Sequence, residues 1–292
     1  MKKVLKSIYD FVPFKKEIFS LLKIVWSPNE SIYKHLHFKG IFTVHLTKTK
    51  SFKVNHYGYQ IENEIFWSGI NDGWEKDSLK LWIQLCEQAN TIVDIGANTG
   101  VYSLVAKTIN PLAKIYAFEP VARVFTKLKE NVDLNKFDIT CIEKAASNFD
   151  GNATIYDTNE EHIYSVTVNK NMSTTETAVF ETIIETVTLN SFVNQYNIDQ
   201  IDLMKIDVET HESEVLEGFS EYLTKFKPTL LIEILTEEVG KKVQAMIAPL
   251  DYLYFNLNEN GAVRRVDTIT KSDYYNYLLC SPVIAEKLGL TM

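Results

Sequence analysis

One segment constrains the fold of this chain more than any other, because it joins a short apolar run to a glycine-containing turn and then to a helical pattern. The run covers residues 91–95 (TIVDI), and the turn covers residues 96–100 (GANTG). A buried strand that enters such a turn and then a helix is typical of an open α/β sheet, in which ligands bind at the carboxyl ends of the strands. Gly96 and Gly100 allow the backbone to turn tightly and to approach a ligand closely.

Short apolar runs alternate with helical patterns along most of the chain. The predicted strands are TIVDI, KIYAFE, ITCIEKA, IDLMKID and KPTLLIEI, and the predicted helices begin near Val101, Val121, Ser191, Glu212 and Glu237. This order indicates βαβ units, and hence a mostly parallel sheet with helices on both faces. The end differs, since LDYLYFNLNENGAVRRVD and YYNYLLCSP predict two strands, with a turn at Asn260-Gly261. We therefore expect the sheet to close with an antiparallel hairpin.

The N-terminal residues follow other patterns. Apolar residues recur at helical spacing on both sides of Pro13, which predicts two short amphipathic helices. HLHFKGIFTVHL, SFKVNHY and EIFW alternate apolar with polar residues, which predicts a small antiparallel sheet, and EKDSLKLWIQLCEQAN predicts a helix. We expect a helical and β appendage over residues 1–80 and an α/β domain over residues 81–292.

The net charge changes sign along the chain. The whole sequence carries 30 Lys and Arg against 38 Asp and Glu, a net charge of −8, which argues against a protein that binds duplex nucleic acid. Residues 1–56 contain 11 Lys and 3 acidic residues (+8), so the remaining residues carry −16. We expect the basic segment to pack against the rest of the protein, or to face an anionic membrane surface, a lipid-phosphate-linked glycan or the acidic face of another subunit. The three cysteines form no CxxC pair, which favours a cytoplasmic location, with the inner face of the membrane as the alternative.

The glycine turn is poorly suited to a dinucleotide. A GxGxxG fingerprint would require glycines at positions 96, 98 and 101, but the chain has Asn98 and Val101. Asp94, just before the turn, would be an unfavourable neighbour for phosphates, whereas it suits S-adenosylmethionine, which carries an ammonium and a sulfonium group. Glu119, at the end of the second strand, can accept hydrogen bonds from both ribose hydroxyls. After the third strand, Ala145 and Ala146 begin a loop of small residues that could flank an adenine.

Several motifs resemble, in the expected order, those of the FkbM family of S-adenosylmethionine-dependent methyltransferases. They are VDIGANTGVYSL, YAFEP followed by LKENVDLN, AASNFDG, TLNSF and MKIDVETHESEVLEG, with FWSGINDGWEKDSL before them and IEI and NYLLCSP after them. The resemblance implies the class I methyltransferase fold, a Rossmann-like sheet of seven strands with the last one antiparallel. It also implies the residues that bind S-adenosylmethionine: Glu75, Asp94, Gly96, Asn98, Gly100, Tyr102, Ser103, Glu119, Pro120, Ala145 and Ala146.

Charged side chains are concentrated at the ends of the fourth and fifth strands. Lys205, Asp207 and Glu209 alternate along the fourth strand and would project from one face, and Glu233 ends the fifth strand. Carboxylates at the ends of adjacent parallel strands converge on the same cleft. Members of the family usually have glycine where this chain has Thr210, which puts a positive φ angle at that position in doubt.

Two roles are open for these groups. His211, or Glu209 with a pKa raised by nearby carboxylates, can act as a general base toward an acceptor hydroxyl. Alternatively, Asp207 and Glu233 hold a divalent cation such as Mg²⁺, which would lower the pKa of the hydroxyl. Lys205 either takes part in catalysis or only pairs with Asp207, and His211 either takes part or faces solvent. The catalytic candidates are therefore Lys205, Asp207, Glu209 and His211.

The sequence favours a hydroxyl as the methyl acceptor. Enzymes that methylate exocyclic amines of bases commonly carry an (Asn/Asp)-Pro-Pro-aromatic turn after the fourth strand, and this chain contains no Pro-Pro pair. The resemblance implies a sugar, a polysaccharide unit or a natural-product scaffold as the acceptor. Two alternatives stay open, namely an oxidoreductase that binds a nucleotide or NAD, and a non-catalytic binding module with the methyltransferase fold.

Overall fold

The computed structural model describes Tyr9 and residues 12–158, 179–259 and 261–290. By its contacts the chain divides into two units, Met1–Trp74 and Glu75–Met292. The domain boundary that we predict after residue 80 falls inside a helix of the second unit. The division into an appendage and an α/β domain at that residue stays a prediction. The first of the two predicted N-terminal helices lies outside the described residues, except for Tyr9.

The first unit contains a two-stranded sheet and short helices. These elements are α1 (Lys15–Val25), α2 (Glu30–Tyr33), β1 (Gly40–His45), β2 (Ser51–His56) and α3 (Gln60–Ser68). β1 and β2 pair antiparallel, as predicted for this region. The predicted strand at EIFW, residues 64–67, is wrong because these residues lie in α3. The buried positions of α3 are 62, 63, 65, 66 and 67, which repeat at helical spacing. A run of four residues is too short to distinguish the helical period from the period of two residues in a strand.

The second unit alternates strands and helices along most of its length. In chain order its elements are α4 (Lys76–Cys86), β3 (Thr91–Ile95), α5 (Val101–Ile109), β4 (Lys114–Phe118), α6 (Ala122–Asn135), β5 (Thr140–Ile142), β6 (Ala145–Ala146), β7 (Gly151–Thr158), β8 (Val179–Val187), α7 (Leu189–Tyr196), β9 (Leu203–Ile206), α8 (Glu212–Glu217), α9 (Ser220–Phe226), β10 (Thr229–Glu233), α10 (Glu237–Ile247), β11 (Leu253–Asn258), β12 (Ala262–Val266), β13 (Asn276–Cys280) and α11 (Pro282–Lys287). Within the described ranges of the chain, no helix is both long and apolar enough to cross a membrane.

The main sheet of this unit has eight strands in the order β5-β4-β3-β9-β10-β13-β11-β12. The five strands β5, β4, β3, β9 and β10 are parallel to one another. β13 is antiparallel to both β10 and β11. The predicted α/β fold, with an antiparallel last strand, is therefore confirmed. The predicted number of seven strands is too low by one. The hairpin at Gly261 joins β11 to an additional edge strand, β12, and the last strand follows only after it.

Three further strands form a separate sheet in the order β6-β8-β7. β7 and β8 pair antiparallel, and β6 pairs with β8 in parallel. The predicted third strand, ITCIEKA, is thus two strands in two sheets, because the chain leaves the main sheet after Ile142 and joins the second at Ala145. This second sheet was not expected from the sequence, and it contains Ala145 and Ala146, the first two residues of the loop of small residues.

The centre of the main sheet positions the candidate site. β3 is buried along its whole length, between its parallel partners β4 and β9. One hydrophobic cluster contains Val93, Ile95, Phe118, Met204 and Ile206 from these three strands. Because the strands are parallel, the carboxyl ends of β3, β4, β9 and β10 lie along one edge of the sheet. The turns that follow these ends carry the residues predicted for the site.

Candidate active site

The turn after β3 is closed tightly: a side chain is excluded at Gly96, and one at Gly100 would require Leu128 to move. Gly96 has a φ angle of +79°, and a Cβ atom at this position would lie 1.8 Å from the carbonyl oxygen of Asp207. Gly100 has a φ angle of +92°, and its Cβ atom would lie 2.6 Å from Cδ1 of Leu128. The contact at Gly96 brings the turn against the end of β9. The predicted cofactor turn and the acidic strand end therefore meet in one place.

Glu119, which follows β4, is hydrogen-bonded to the backbone of this turn. Its Oε2 atom accepts from the Asn98 N–H at 3.1 Å, and its Oε1 atom accepts from the Val121 N–H at 2.9 Å. Burial raises the pKa of Glu119 to about 7, although these two backbone donors act in the opposite direction. Asn98 has a φ angle of +52°, and its buried Oδ1 atom has no hydrogen-bond partner within the described part of the chain. The turn thus holds an unused acceptor beside a carboxyl group that titrates near neutral pH.

Asp94 lies beneath the turn rather than on its surface. Its side chain is 1% exposed, and its Oδ2 atom accepts from the hydroxyl of Ser103 at 2.6 Å. Burial raises the pKa of Asp94 to about 6, and the Ser103 hydrogen bond opposes this rise. Since Ser103 is also fully buried, this pair fastens the start of α5 to β3. The predicted contact of Asp94 and Ser103 with a cofactor stays a prediction.

Lys205, on β9, is a fully buried cation near these carboxylates. Its Nζ atom donates to Oδ2 of Asp207 at 3.0 Å and lies 5.0 Å from the centre of the Tyr102 ring. Burial alone would lower the pKa of Lys205, but the carboxylates of Asp207, Glu75 and Glu233 together raise it above its ordinary value. The buried ammonium therefore stays charged and holds the acidic groups around it.

Glu75 and Tyr102 form a second buried pair in this cluster. The Tyr102 hydroxyl donates to Oε2 of Glu75 at 2.5 Å. Burial raises the pKa of Glu75, and the charge of Lys205 acts against that rise. Burial also raises the pKa of Tyr102 well above its ordinary value, so the phenol keeps its proton. Glu75 therefore lies near Lys205 and Asp207, its described hydrogen bond is with Tyr102, and its predicted contact with the cofactor stays a prediction.

The acidic strand ends do not fit a divalent cation. The Lys205 ammonium already binds the Asp207 carboxylate, and burial, followed by the charge of Asp207, raises the pKa of Glu233 far above its ordinary value. A protonated carboxyl group and a carboxylate paired with lysine are poor ligands for Mg²⁺. Over the ranges that the structure describes, no group of three or more His, Cys, Asp or Glu side chains is arranged to hold a metal ion. The metal alternative for Asp207 and Glu233 is therefore not supported.

The loop after β9 adopts the backbone conformation that the sequence put in doubt. Glu209 has a φ angle of +52° and Thr210 a φ angle of +81°, so threonine is held where glycine is favoured. Glu212 holds this loop, because its Oε1 atom accepts from the N–H groups of Val208 and Thr210, each at 3.2 Å. Burial raises the pKa of Glu212 to about 7. Glu212 lies outside the predicted site, although it is three residues past Glu209 in the same motif.

His211 makes its described contacts with a different set of residues. Its Nε2 atom lies 3.0 Å from the hydroxyl oxygen of Ser147, and its Nδ1 atom lies 3.7 Å from Oε2 of Glu214. Burial lowers the pKa of His211, and the nearby charge of Glu214 opposes this effect. The imidazole is therefore neutral at pH 7. Ser147 is 1% exposed and was not predicted as a site residue, although it follows the predicted Ala145-Ala146 pair.

The remaining predicted residues border the turn or the second sheet. Pro120 is half-buried directly after Glu119, whereas Ala145 and Ala146 lie in β6. A further residue, Glu259, was missed entirely. Its Oε2 atom accepts from the Asp77 N–H at 2.8 Å and thereby fixes the start of α4, from a position 182 residues away in the chain. Nothing local in the sequence indicates such a contact.

The residues at the glycine turn fit S-adenosylmethionine by their chemistry. Gly96 leaves no room for a side chain, Asn98 offers a buried carbonyl acceptor, and Glu119 offers a carboxyl group at the end of the second strand. Carboxylates accept hydrogen bonds from vicinal hydroxyls and stabilise positive charge. These three positions could hold the turn-facing part of the cofactor, and the assignment of individual contacts stays a prediction.

Comparisons with known proteins find methyltransferases among the proteins similar to this chain. Methyltransferase sdnD from Sordaria araneosa is 31% identical over 156 residues, which are 44% of this chain and 60% of that protein. Hexuronic acid methyltransferase AglP from Haloferax volcanii is 26% identical over 149 residues, 51% of this chain and 58% of that protein. The 2-O-methyltransferase NoeI from Sinorhizobium fredii is 27% identical over 157 residues, 49% of this chain and 63% of that protein. The chain thus spans less than two thirds of the length of each of these relatives.

A family model extends the similarity beyond single relatives. The model described as "Methyltransferase FkbM domain" matches residues 94–265, which is more than half of the chain. The match begins at Asp94 in β3 and ends at Arg265 in β12, so it contains the glycine turn, Glu119 and the acidic strand ends. With the strand order and the glycine turn already established by the fold, this match shows that the chain belongs to the FkbM methyltransferase family.

Proposed function

We propose that this protein transfers a methyl group from S-adenosylmethionine to a hydroxyl oxygen of a sugar-containing acceptor. When bound, S-adenosylmethionine supplies an electrophilic methyl group. The observation that carries the proposal is the junction between the glycine turn and the acidic end of β9, where Gly96 lies against the carbonyl oxygen of Asp207. The closeness of the glycine turn to the acidic strand end supports a cofactor and an acceptor that bind side by side.

The carboxyl groups around Lys205 supply the acid–base chemistry that a hydroxyl acceptor needs. The pKa of a sugar hydroxyl lies far above 7, so a base must take its proton as the oxygen attacks. Glu209 belongs to this group, because its charge contributes to the raised pKa of Glu233. We assign the base to Glu209. Lys205 keeps Asp207 in place and offsets the negative charge that builds up when the carboxyl groups ionise.

His211 is the competing candidate for the base. Its pKa is lowered by burial, so the imidazole is unprotonated at pH 7 and able to accept a proton. Its Nε2 atom, however, is engaged with the Ser147 hydroxyl, and its Nδ1 atom faces Glu214. These contacts support a role for His211 in holding the loop after β9 against β6 and the residues that follow it.

Two single variants distinguish between Glu209 and His211 as the general base. We expect Glu209→Gln to lower kcat by about 10²- to 10⁴-fold, the usual effect of removing a general base, with little change in the affinity for S-adenosylhomocysteine. The matched variant His211→Gln should lower kcat by less than about tenfold. If the two effects are reversed, the base is His211 and the assignment to Glu209 is wrong.

The choice of a sugar acceptor rests on similarity. AglP is named a hexuronic acid methyltransferase and NoeI a 2-O-methyltransferase, and both align with this chain over about half of its length. The absence of a Pro-Pro pair after the fourth strand agrees with a hydroxyl rather than an amine. We therefore propose an acceptor that carries a sugar or uronic acid hydroxyl.

The direct test is a transfer assay with S-adenosylmethionine labelled in its methyl group. The purified chain is incubated with uronic acids, oligosaccharides, nucleosides and short peptides, and label is followed into each acceptor. We expect transfer to a saccharide fraction and its loss in Asp94→Ala. Transfer only to an amine of a nucleoside or peptide would contradict the hydroxyl acceptor.

A further inference from the structure

Helix α1 of the first unit presents an exposed apolar stripe. Phe14 lies directly before the first turn of α1, and Ile18, Leu21 and Val25 follow it at spacings of four, three and four residues, which places the three helical residues on one face. Their exposures are 74%, 44%, 68% and 83%. Leu22 and Ile24 are also exposed and widen the stripe on either side. Large apolar side chains are seldom exposed together in this way unless the surface has a partner.

The exposure of this stripe is not a sign that α1 is loosely attached to its unit. Phe19, on another face of the helix, is buried, and its ring centre lies 5.5 Å from that of Trp67 and 6.5 Å from that of Phe38. The Lys23 ammonium donates to the carbonyl oxygen of Phe66. One face of α1 is therefore packed into the unit, and the apolar stripe points away from that packing.

The same region is strongly basic. Residues 1–56 carry 11 Lys, no Arg and 3 acidic residues. Lys34, Lys39, Lys48 and Lys53 are exposed in the described part of this unit. Compact ammonium groups without arginine favour diffuse attraction to an anionic surface over bidentate recognition of single groups. The first unit thus combines an exposed apolar stripe with a lysine-rich composition, and this combination is typical of segments that lie in the interface of an anionic bilayer.

We propose that the stripe Phe14–Val25 of α1 docks on an anionic membrane surface. The apolar side chains would enter the boundary between headgroups and acyl chains, while the surrounding lysines would lie near the anionic headgroups. A second copy of the chain is a weaker candidate, because a symmetric contact between two first units would bring two net charges of +5 together, from 11 Lys and 6 acidic residues in each. The membrane is the partner that satisfies both the apolar stripe and its positive surroundings.

Vesicle flotation with the full chain tests this proposal. We expect the protein to float with vesicles of phosphatidylcholine and phosphatidylglycerol but not with pure phosphatidylcholine, and to be released by high salt. The double variant Leu21→Ser/Val25→Ser should weaken binding by about tenfold or more, as the loss of two inserted side chains implies. Leu112→Ser is the matched control, since Leu112 is 94% exposed in the second unit, and it should float like the unchanged protein.

A charge variant keeps the test valid if the serine variant unfolds. Lys34→Glu/Lys48→Glu leaves the stripe intact and should also weaken flotation by about tenfold or more, because each lysine near the surface contributes about 1 kcal/mol. Both variants should keep the thermal shift with S-adenosylhomocysteine, so this proposal and the proposed activity fail separately. Absence of flotation, flotation of both variants equal to that of the unchanged protein, or concentration-dependent dimers that the serine variant abolishes would overturn the membrane proposal.

Discussion

Gly96 is the residue at which the turn after β3 depends most directly on the absence of a side chain. An alanine there would place its Cβ atom 1.8 Å from a backbone oxygen, which cannot move as the end of a side chain can. We expect Gly96→Ala to abolish the binding of S-adenosylhomocysteine and to lower the free energy of unfolding by about 3 kcal/mol or more, the range of severe backbone and packing conflicts. Urea denaturation and calorimetric titration measure both effects.

Gly289→Ala is the matched control for that change. Gly289 also has a positive φ angle, +69°, but a Cβ atom there meets nothing within 4 Å. The replacement of Gly289 by alanine should lower the free energy of unfolding by only about 1–2 kcal/mol, the penalty for a positive φ angle. It should leave the binding of S-adenosylhomocysteine unchanged. Equal losses in the two variants would mean that the contact with Asp207 does not matter.

Glu119 makes the affinity for the cofactor depend on pH. Burial raises its pKa to about 7, so below pH 7 the group is a neutral acid that accepts hydrogen bonds less well. We expect the affinity for S-adenosylhomocysteine to rise with pH up to about 7, by at most about tenfold per pH unit, and then to level off. In Glu119→Gln the affinity should be lower by about 10- to 100-fold, and this part of the pH dependence should disappear.

Glu212→Gln is the control for this titration. The pKa of Glu212 is also raised to about 7, but its described hydrogen bonds are to the backbone of the loop after β9. The variant should keep the pH dependence of binding. If Glu212→Gln removes it and Glu119→Gln does not, the group that titrates with the cofactor is not Glu119.

Thr210 stores strain in the loop after β9. A β-branched residue at a φ angle of +81° costs about 1–3 kcal/mol. We expect Thr210→Gly to raise the free energy of unfolding by about 1 kcal/mol, less than the full strain because glycine also frees the unfolded chain. Lys136→Gly, at a φ angle of +55° after α6, should stabilise less, since lysine is not β-branched. If urea denaturation shows a smaller gain in the free energy of unfolding for Thr210→Gly than for Lys136→Gly, this account is wrong.

At the scale of elements, local patterns predict what lies close together in the chain. The glycine turn, Glu119 and the acidic residues of β9 are each recognisable within a few residues, because strand, turn and helix signals are local. The contact of His211 with Ser147 joins residues 64 apart, and no periodicity reports it. The same holds for Glu259 at the start of α4.

The strands that sequence analysis missed have a common cause. β7 and β8 pair antiparallel with each other, and β12 completes a hairpin with β11. Each of these strands lies in a part of the sequence where apolar runs do not alternate with helical patterns. Which sheet a short strand joins depends on pairing partners distant in sequence, and period-two alternation does not identify the partner.

Hydrogen exchange should distinguish the strands β12 and β13 near the C-terminal end of the chain. β13 is buried and hydrogen-bonded on both sides, to β10 and β11, whereas β12 pairs only with β11 at the edge of the sheet. We expect the amides of β13 to exchange at least about 10²-fold more slowly than those of β12, because opening a central strand requires wider unfolding. Similar protection of both strands would show that the edge of the sheet is covered by another element or another molecule.

At the scale of the whole molecule, the charge separates into two parts with different expected partners. Residues 1–56 carry +8 and the remaining residues −16, so a single net value describes neither part. The basic part contains the exposed stripe of α1, and the acidic part contains the carboxyl groups of the candidate active site. The proposed membrane docking and the proposed methyl transfer therefore rest on two parts of the chain with opposite net charge.

Calorimetric titration of the full chain with S-adenosylhomocysteine and, separately, with NAD⁺ tests the central claim most directly. The glycine turn lacks the second and third glycines of a dinucleotide fingerprint, and it holds a buried acceptor and a carboxyl group instead. We predict saturable binding of S-adenosylhomocysteine at one site, weakened in Glu119→Gln, and no binding of NAD⁺. Binding of NAD⁺ without binding of S-adenosylhomocysteine would contradict the account.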